Sequence, residues 1–171
     1  YTNADEVELF INGKSIAVKK NSKEPKTRNK IKWDGVKYEA VYIEAVAKTD
    51  GKIVARHRIE TTTDAMALKA EMDNADWKAD GTDLQHVRIT AVDKKGRRVR
   101  GAHNNLTFAI DGPAEIVGVI NGDITSEELT VGNKRRLYNG TATVILRSKR
   151  EAGKVTLTAT TDGLKNTKLV V

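Results

Sequence analysis

Apolar and polar residues alternate through most of the chain, and turn-forming pairs break the alternation at short intervals. Val7, Leu9 and Ile11 share one side of the first segment, and Ile16 and Val18 carry the pattern on beyond Asn12-Gly13. Asn-Gly accommodates the two positive-φ positions of a type I′ turn, so residues 7–18 are expected to form a β-hairpin. Residues 41–48 and 52–61 repeat the pattern about Asp50-Gly51 and predict a second hairpin. Between the hairpins, residues 19–30 are polar, lysine-rich and interrupted by Pro25, which reads as an exposed loop. Ile31-Lys32-Trp33 reads as a short strand and Asp34-Gly35 as the turn after it.

The pattern breaks at Thr61-Thr62-Thr63-Asp64, where a boundary between domains 1–62 and 63–171 is expected. Residues 64–72 have high helical propensity. Strands are predicted at 86–92, 106–110, 115–120, 141–148, 154–161 and 167–171, and Lys94-Lys95-Gly96 turns the chain into Val99. Short strands with turns at roughly 8–12-residue spacing are the pattern of an immunoglobulin-like sandwich. The fold class expected is all-β, with two tandem immunoglobulin-like β-sandwich domains. The first is an incomplete sandwich if strands lie ahead of Tyr1.

Composition narrows the function classes. The chain is 39% hydrophobic and 31% charged, and no apolar run reaches the roughly 20 residues of a membrane span. The absence of cysteine excludes disulfides and thiolate chemistry. The formal charge of +7 is concentrated at Lys19, Lys20, Lys23, Lys26, Arg28, Lys30 and Lys32, with smaller groups at 94–98 and 134–136. These groups sit around turns, without a recognition-helix pattern or an aromatic-glycine RNA-binding run. They are read as solvated charge that keeps strand edges from pairing with other molecules, and no nucleic-acid partner is expected.

Candidate chemistry is sparse. His57, His86 and His103 are too far apart for a local metal motif. Asp111, Asp123 and their neighbours lack the close alternation of a calcium loop. No Gly-x-Ser-x-Gly element or phosphate-binding glycine loop is present. No metal and no cofactor are therefore expected. Sugar recognition in β-sandwiches uses exposed aromatic faces, and the aromatics to weigh are Trp33, Tyr38, Tyr42, Trp77 and Tyr138. Aromatics make up only 5% of the chain, and each small core needs some of them. Trp33 and Tyr38, on either side of the Asp34-Gly35 turn, are the carbohydrate-binding candidates.

Several segments carry a resemblance. Thr2-Asn-Ala-Asp5 followed by Val7-Glu-Leu-Phe10 and Asn12-Gly-Lys-Ser15 resembles the segment after the catalytic barrel in bacterial β-galactosidases of glycoside hydrolase family 2. Three later segments resemble the last domain of the same architecture, in the family's order. They are Ala79-Asp-Gly-Thr-Asp83 leading to Val87 and Asp93, Leu106 to Asp123 with its Ile116-Val-Gly-Val119 run, and Tyr138-Asn-Gly140 with the strands after it. Departures occur at Ala40-Val41, where the family often has Pro-Gly, at Ala114 for a glycine and at Ile120 for an aspartate. The resemblance makes residues 67–72 the first strand of the second domain rather than a helix.

The resemblance implies a C-terminal piece of a larger enzyme, since the chain opens inside a domain without an initiating Met. In that family the two catalytic glutamates stand on a (β/α)₈ barrel of roughly 250 residues, so none is carried over here. Glu39, Glu44, Glu115, Glu127 and Glu128 are read as surface charges, and this piece alone is not expected to be an enzyme. The implied parent hydrolyses terminal β-galactosides with retention. The implied partners are its barrel, its other domains and a second subunit, and export to the periplasm or cell surface follows from the resemblance only. The alternatives are a tandem stalk of a bacterial surface adhesin and an independent carbohydrate-binding module.

Overall fold

Asn12 and Gly13 carry φ of 49° and 83° in the computed structural model, which describes residues 1–171. This left-handed pair folds β1 (Glu6–Ile11) back onto β2 (Lys14–Lys20). Asp50 and Gly51, at 49° and 74°, do the same for β3 (Tyr42–Thr49) and β4 (Lys52–Glu60). The two hairpins join in one antiparallel sheet of order β2-β1-β3-β4. In the β1/β3 ladder Val7 lies opposite Ala47, Leu9 opposite Ala45 and Ile11 opposite Ile43, so the apolar alternation gathers on one face.

Ile31 and Trp33 pack on that face against Ala4, Val7 and Ala47. The strand expected at 31–33 is a correction: these residues join no ladder. Their alternation still has a physical meaning, because Ile31 and Trp33 turn toward the sheet while Lys32 stays exposed. The segment lies as a covering layer on the apolar face of the sheet and is not a further strand of it. Asn21 ties it to the N-terminal residues. Its side-chain amide donates to the carbonyls of Thr2 (3.0 Å) and Ala4 (2.9 Å), and its oxygen accepts from the Asn29 amide at 2.9 Å.

The opposite face carries charge pairs across strands, with Lys48 to Glu8 at 2.9 Å and Arg56 to Glu44 at 3.7 Å. Arg58 lies 3.5 Å above the Tyr42 ring. Val46, opposite Glu8 and Arg56 in the ladders, is buried there.

Residues Tyr1–Thr61 form one compact unit and Thr62–Val171 another. The second unit contains β5 (Ala67–Met72), β6 (Leu84–Val92), β7 (Asn105–Asp111), β8 (Ala114–Ile120), β9 (Lys134–Arg136), β10 (Thr141–Ser148), β11 (Thr156–Thr160) and β12 (Thr167–Val170). Its sheets run β5-β6-β10-β8 and β12-β11-β7-β9. Apart from the short added strand β9, this is the ABED and CFG division of an immunoglobulin-like sandwich. Val87, Ile89, Val144 and Leu146 from one sheet and Leu106, Phe108, Leu157 and Ala159 from the other share one buried core. The whole chain is all-β, with no helix.

Residues 67–72 are a strand despite their helical propensity, because tertiary pairing overrides it. Leu68 is buried in the core, and its amide donates to the Lys165 carbonyl at 2.8 Å, tying β5 to the second sheet's end of the sandwich. Two glycines fix where strands turn. Gly112 and Gly140 have φ of 103° and 74°, and a Cβ at either would collide with a backbone carbonyl, that of Lys154 or of Val99.

Candidate functional site

The aromatics singled out from the sequence fall into different environments. Tyr38 is 78% exposed and its hydroxyl lies 3.0 Å from the Thr61 hydroxyl. Trp33, by contrast, is partly buried where the covering segment packs on the sheet of the first unit. The structure does not bring the two together in one site: Trp33 lines a cavity and Tyr38 does not. Trp77 packs against the core of the second unit, and its indole N–H donates to the Asp83 carbonyl at 3.1 Å.

The cavity beside Trp33 has a volume of about 180 Å³. Three small side chains leave room for it. Ala47 and Ala55 are opposite one another in the β3/β4 ladder, and Ala45 and His57 form the next pair on the same face. Ile31 and Trp33 line it from the covering segment, and Tyr1, Thr2, Val7 and Arg56 complete the lining. The Trp33 indole nitrogen is buried and has no hydrogen-bond partner. Sequence reasoning picked out Trp33 but not the three alanines or His57. Small residues at core-facing strand positions opposite a tryptophan were the available signal.

Glu44, Glu115 and Glu128 each have an arginine partner. Glu44 faces Arg56, Glu115 accepts from the Arg147 guanidinium, and Glu128 accepts from the Arg136 amide at 3.0 Å. Hydrogen bonds from Ser15 and then Lys48 hold the Glu8 carboxyl below its ordinary range. His57 and His86 are exposed, and no three His, Cys, Asp or Glu side chains converge in a metal-binding group.

Two polar nodes in the second unit escaped sequence reasoning. Asp93 is 3% exposed and accepts from the amides of Lys95 (2.9 Å) and Arg97 (3.0 Å) and from the Arg97 guanidinium. The Arg97 side chain is the main reason its carboxyl stays far below the usual carboxylate range. Arg135, in β9, is also buried. Its guanidinium donates to the Asn121 side chain at 2.8 Å and the Glu128 carbonyl at 2.9 Å, pinning the β8–β9 connection. That connection presents Ile124, Leu129 and Val131 to solvent.

Residues 68–170 match the family model described as glycoside hydrolase family 2 C-terminal domain 5. The chain belongs to glycoside hydrolase family 2. Residues 1–55 match a second model, described as a domain of unknown function (DUF4982). Among family 2 relatives, the chain is 34% identical over 171 residues to the β-galactosidase BoGH2A of Bacteroides ovatus, covering all of this chain and 20% of that protein. It is 30% identical to a β-glucuronidase of Formosa agariphila, over 96% of this chain and 16% of that protein. The chain thus spans about a fifth of the length of these relatives. Two solved structures superpose on the whole chain with a TM-score of 0.90. One is a family 2 member from Bacteroides cellulosilyticus (30% identity, 23% of that chain), the other a β-glycosidase from Bacteroides vulgatus (32%, 21%).

Proposed function

We propose that this chain is a non-catalytic, structural C-terminal region of a family 2 glycosidase of the β-galactosidase type. The observation that carries the reading is the alignment of the entire chain with one fifth of the Bacteroides ovatus β-galactosidase. A retaining glycosidase needs two carboxyl groups about 5–5.5 Å apart beside a sugar-binding cleft. Here Glu44 faces Arg56 and Glu8 faces Lys48 across the sheet. Such pairs suit a scaffold. The role assigned is packing against the parent's catalytic barrel, and exposed apolar side chains in both units support it. Ile53, Val54 and Ile59 are exposed on β4 in the first unit, and Ile124, Leu129 and Val131 on the β8–β9 connection in the second.

The test compares the chain alone with its full-length parent on p-nitrophenyl β-galactoside and p-nitrophenyl β-glucuronide. The chain alone is expected to give no turnover above buffer. Removing it from the parent is expected to lower the parent's thermal midpoint while the folded remainder keeps kcat. Hydrolysis by the isolated chain would overturn the reading.

A further inference from the structure

We infer that the Asn139-Gly140 turn of the second unit, flanked by Arg98 and Arg100, is a binding site for a single oxyanion group, a carboxylate or a sulfate. The backbone brings the two arginines to the turn. Arg98 forms an isolated antiparallel bridge with Val92 at the end of β6, and its Nε donates to the Asn139 carbonyl at 2.7 Å. Val99 and Arg100 pass along the other residue of the turn. A Cβ on Gly140 would collide with the Val99 carbonyl and stand 3.4 Å from the Arg100 Cα, so only glycine lets this segment come so near.

Charge is the second argument. The other cations around β6 already have carboxylate partners. Arg97 donates to Asp93 at 2.9 Å, Arg88 has Asp73 at 3.5 Å, and Lys69 on β5 has Glu71 at 2.7 Å. Arg98 has a neutral carbonyl instead, and neither it nor Arg100 takes part in the ion pairs of the second unit. Burial, and then the charges of Arg100 and Arg88, lower the affinity of the Arg98 guanidinium for its proton. These cations therefore repel one another, and a bound anion relieves the repulsion. With Nε given to Asn139, Arg98 keeps its terminal Nη donors. The planar fork of a guanidinium matches two oxygens of a carboxylate or sulfate.

The lysine-rich stretch of the first unit offers nothing equivalent. Lys19 donates to the Lys32 carbonyl, Lys32 pairs with Asp34, and a lysine is a hydrated point charge without the fork. The inference stands on the second unit alone and does not depend on the reaction assigned to the parent.

The test follows backbone amide shifts of the ¹⁵N-labelled chain during titration with sodium sulfate, sodium glucuronate and acetylated, amidated aspartate. Sodium chloride holds the ionic strength constant throughout. The amides of Arg100, Asn139 and Gly140 are expected to move saturably, at millimolar concentrations, with at least one of the three, while residues 23–32 stay in place. Tighter binding of glucuronate assigns the group to an acidic sugar, and tighter binding of the aspartate derivative assigns it to an acidic side chain. Arg98→Gln is expected to weaken binding several-fold. Adding Arg100→Gln is expected to abolish it in a chain whose remaining amide signals stay native-like. The inference is overturned if no anion gives a saturable shift at the turn, or if glucose reproduces the shift. It is also overturned if residues 23–32 respond with the same midpoint, or if the folded double variant keeps the response.

Discussion

Arg97 grips Asp93 with its backbone amide at 3.0 Å on one carboxylate oxygen and its guanidinium at 2.9 and 2.6 Å on the other. The pair closes the turn after β6, and the carboxyl titrates well below its ordinary value because of it. An unfolded aspartate titrates near 3.9. A depressed native value means that the pair's contribution is fully present above about pH 4 and is lost as pH falls further. Thermal unfolding followed from pH 7 to pH 2 is therefore expected to show a steep acid decline. Asp93→Asn is expected to lower the midpoint at pH 7 and to flatten that decline.

Alanine at Gly112 or Gly140 must both adopt a positive φ and displace a backbone carbonyl, that of Lys154 or of Val99. Each substitution is expected to cost more than about 2 kcal/mol, beyond the roughly 1 kcal/mol of the backbone conformation alone. Gly96 has φ of 74° but open space where a Cβ would stand, so Gly96→Ala is the control and should lose only the smaller amount. Urea unfolding midpoints separate the two cases.

The buried guanidinium of Arg135 holds the β8–β9 connection at Asn121 and Glu128. Arg135→Met keeps an unbranched apolar stem and removes the donors. Hydrogen exchange is expected to accelerate through residues 121–131, while β10 retains its protection. Equal acceleration in β10 would mean that the residue supports the whole sandwich instead.

Asn21 is the tether of the covering segment in the first unit. Asn21→Ala leaves the Asn29 amide and the carbonyls of Thr2 and Ala4 without that partner, at about 1–2 kcal/mol. In a Trp77→Phe background, acrylamide quenching of Trp33 is expected to rise, since the segment that buries it is no longer held down.

The strands that alternate and end at Asn-Gly or Asp-Gly were legible because local chemistry and burial agree there. Val7, Leu9 and Ile11 illustrate it: all three are buried. Ile31-Lys32-Trp33 carries the same alternation without becoming a strand, since pattern reports which side chains turn inward and not whether an edge is available to pair. β9 was missed for the converse reason. Lys134-Arg135-Arg136 reads as loop charge, and only the fold reveals that Arg135 is buried and bonded to its neighbours. Of the sugar-binding candidates, Trp33 lines the cavity beside three alanines, and alanine in a strand carries no chemical signature of its own.

Strand β6 sits between β5 and β10, so it exchanges hydrogen bonds with one neighbour close in sequence and another that follows much later. On the ribosome Val87 and Ile89 emerge long before Val144, their eventual companion in the core. Until then β6 has a free edge and a greasy face, and slow, distant pairing of this kind exposes a nascent chain to aggregation. His86 and Arg88, on the alternate exposed positions of the same strand, give that waiting segment the charge and polarity that discourage association with other nascent copies.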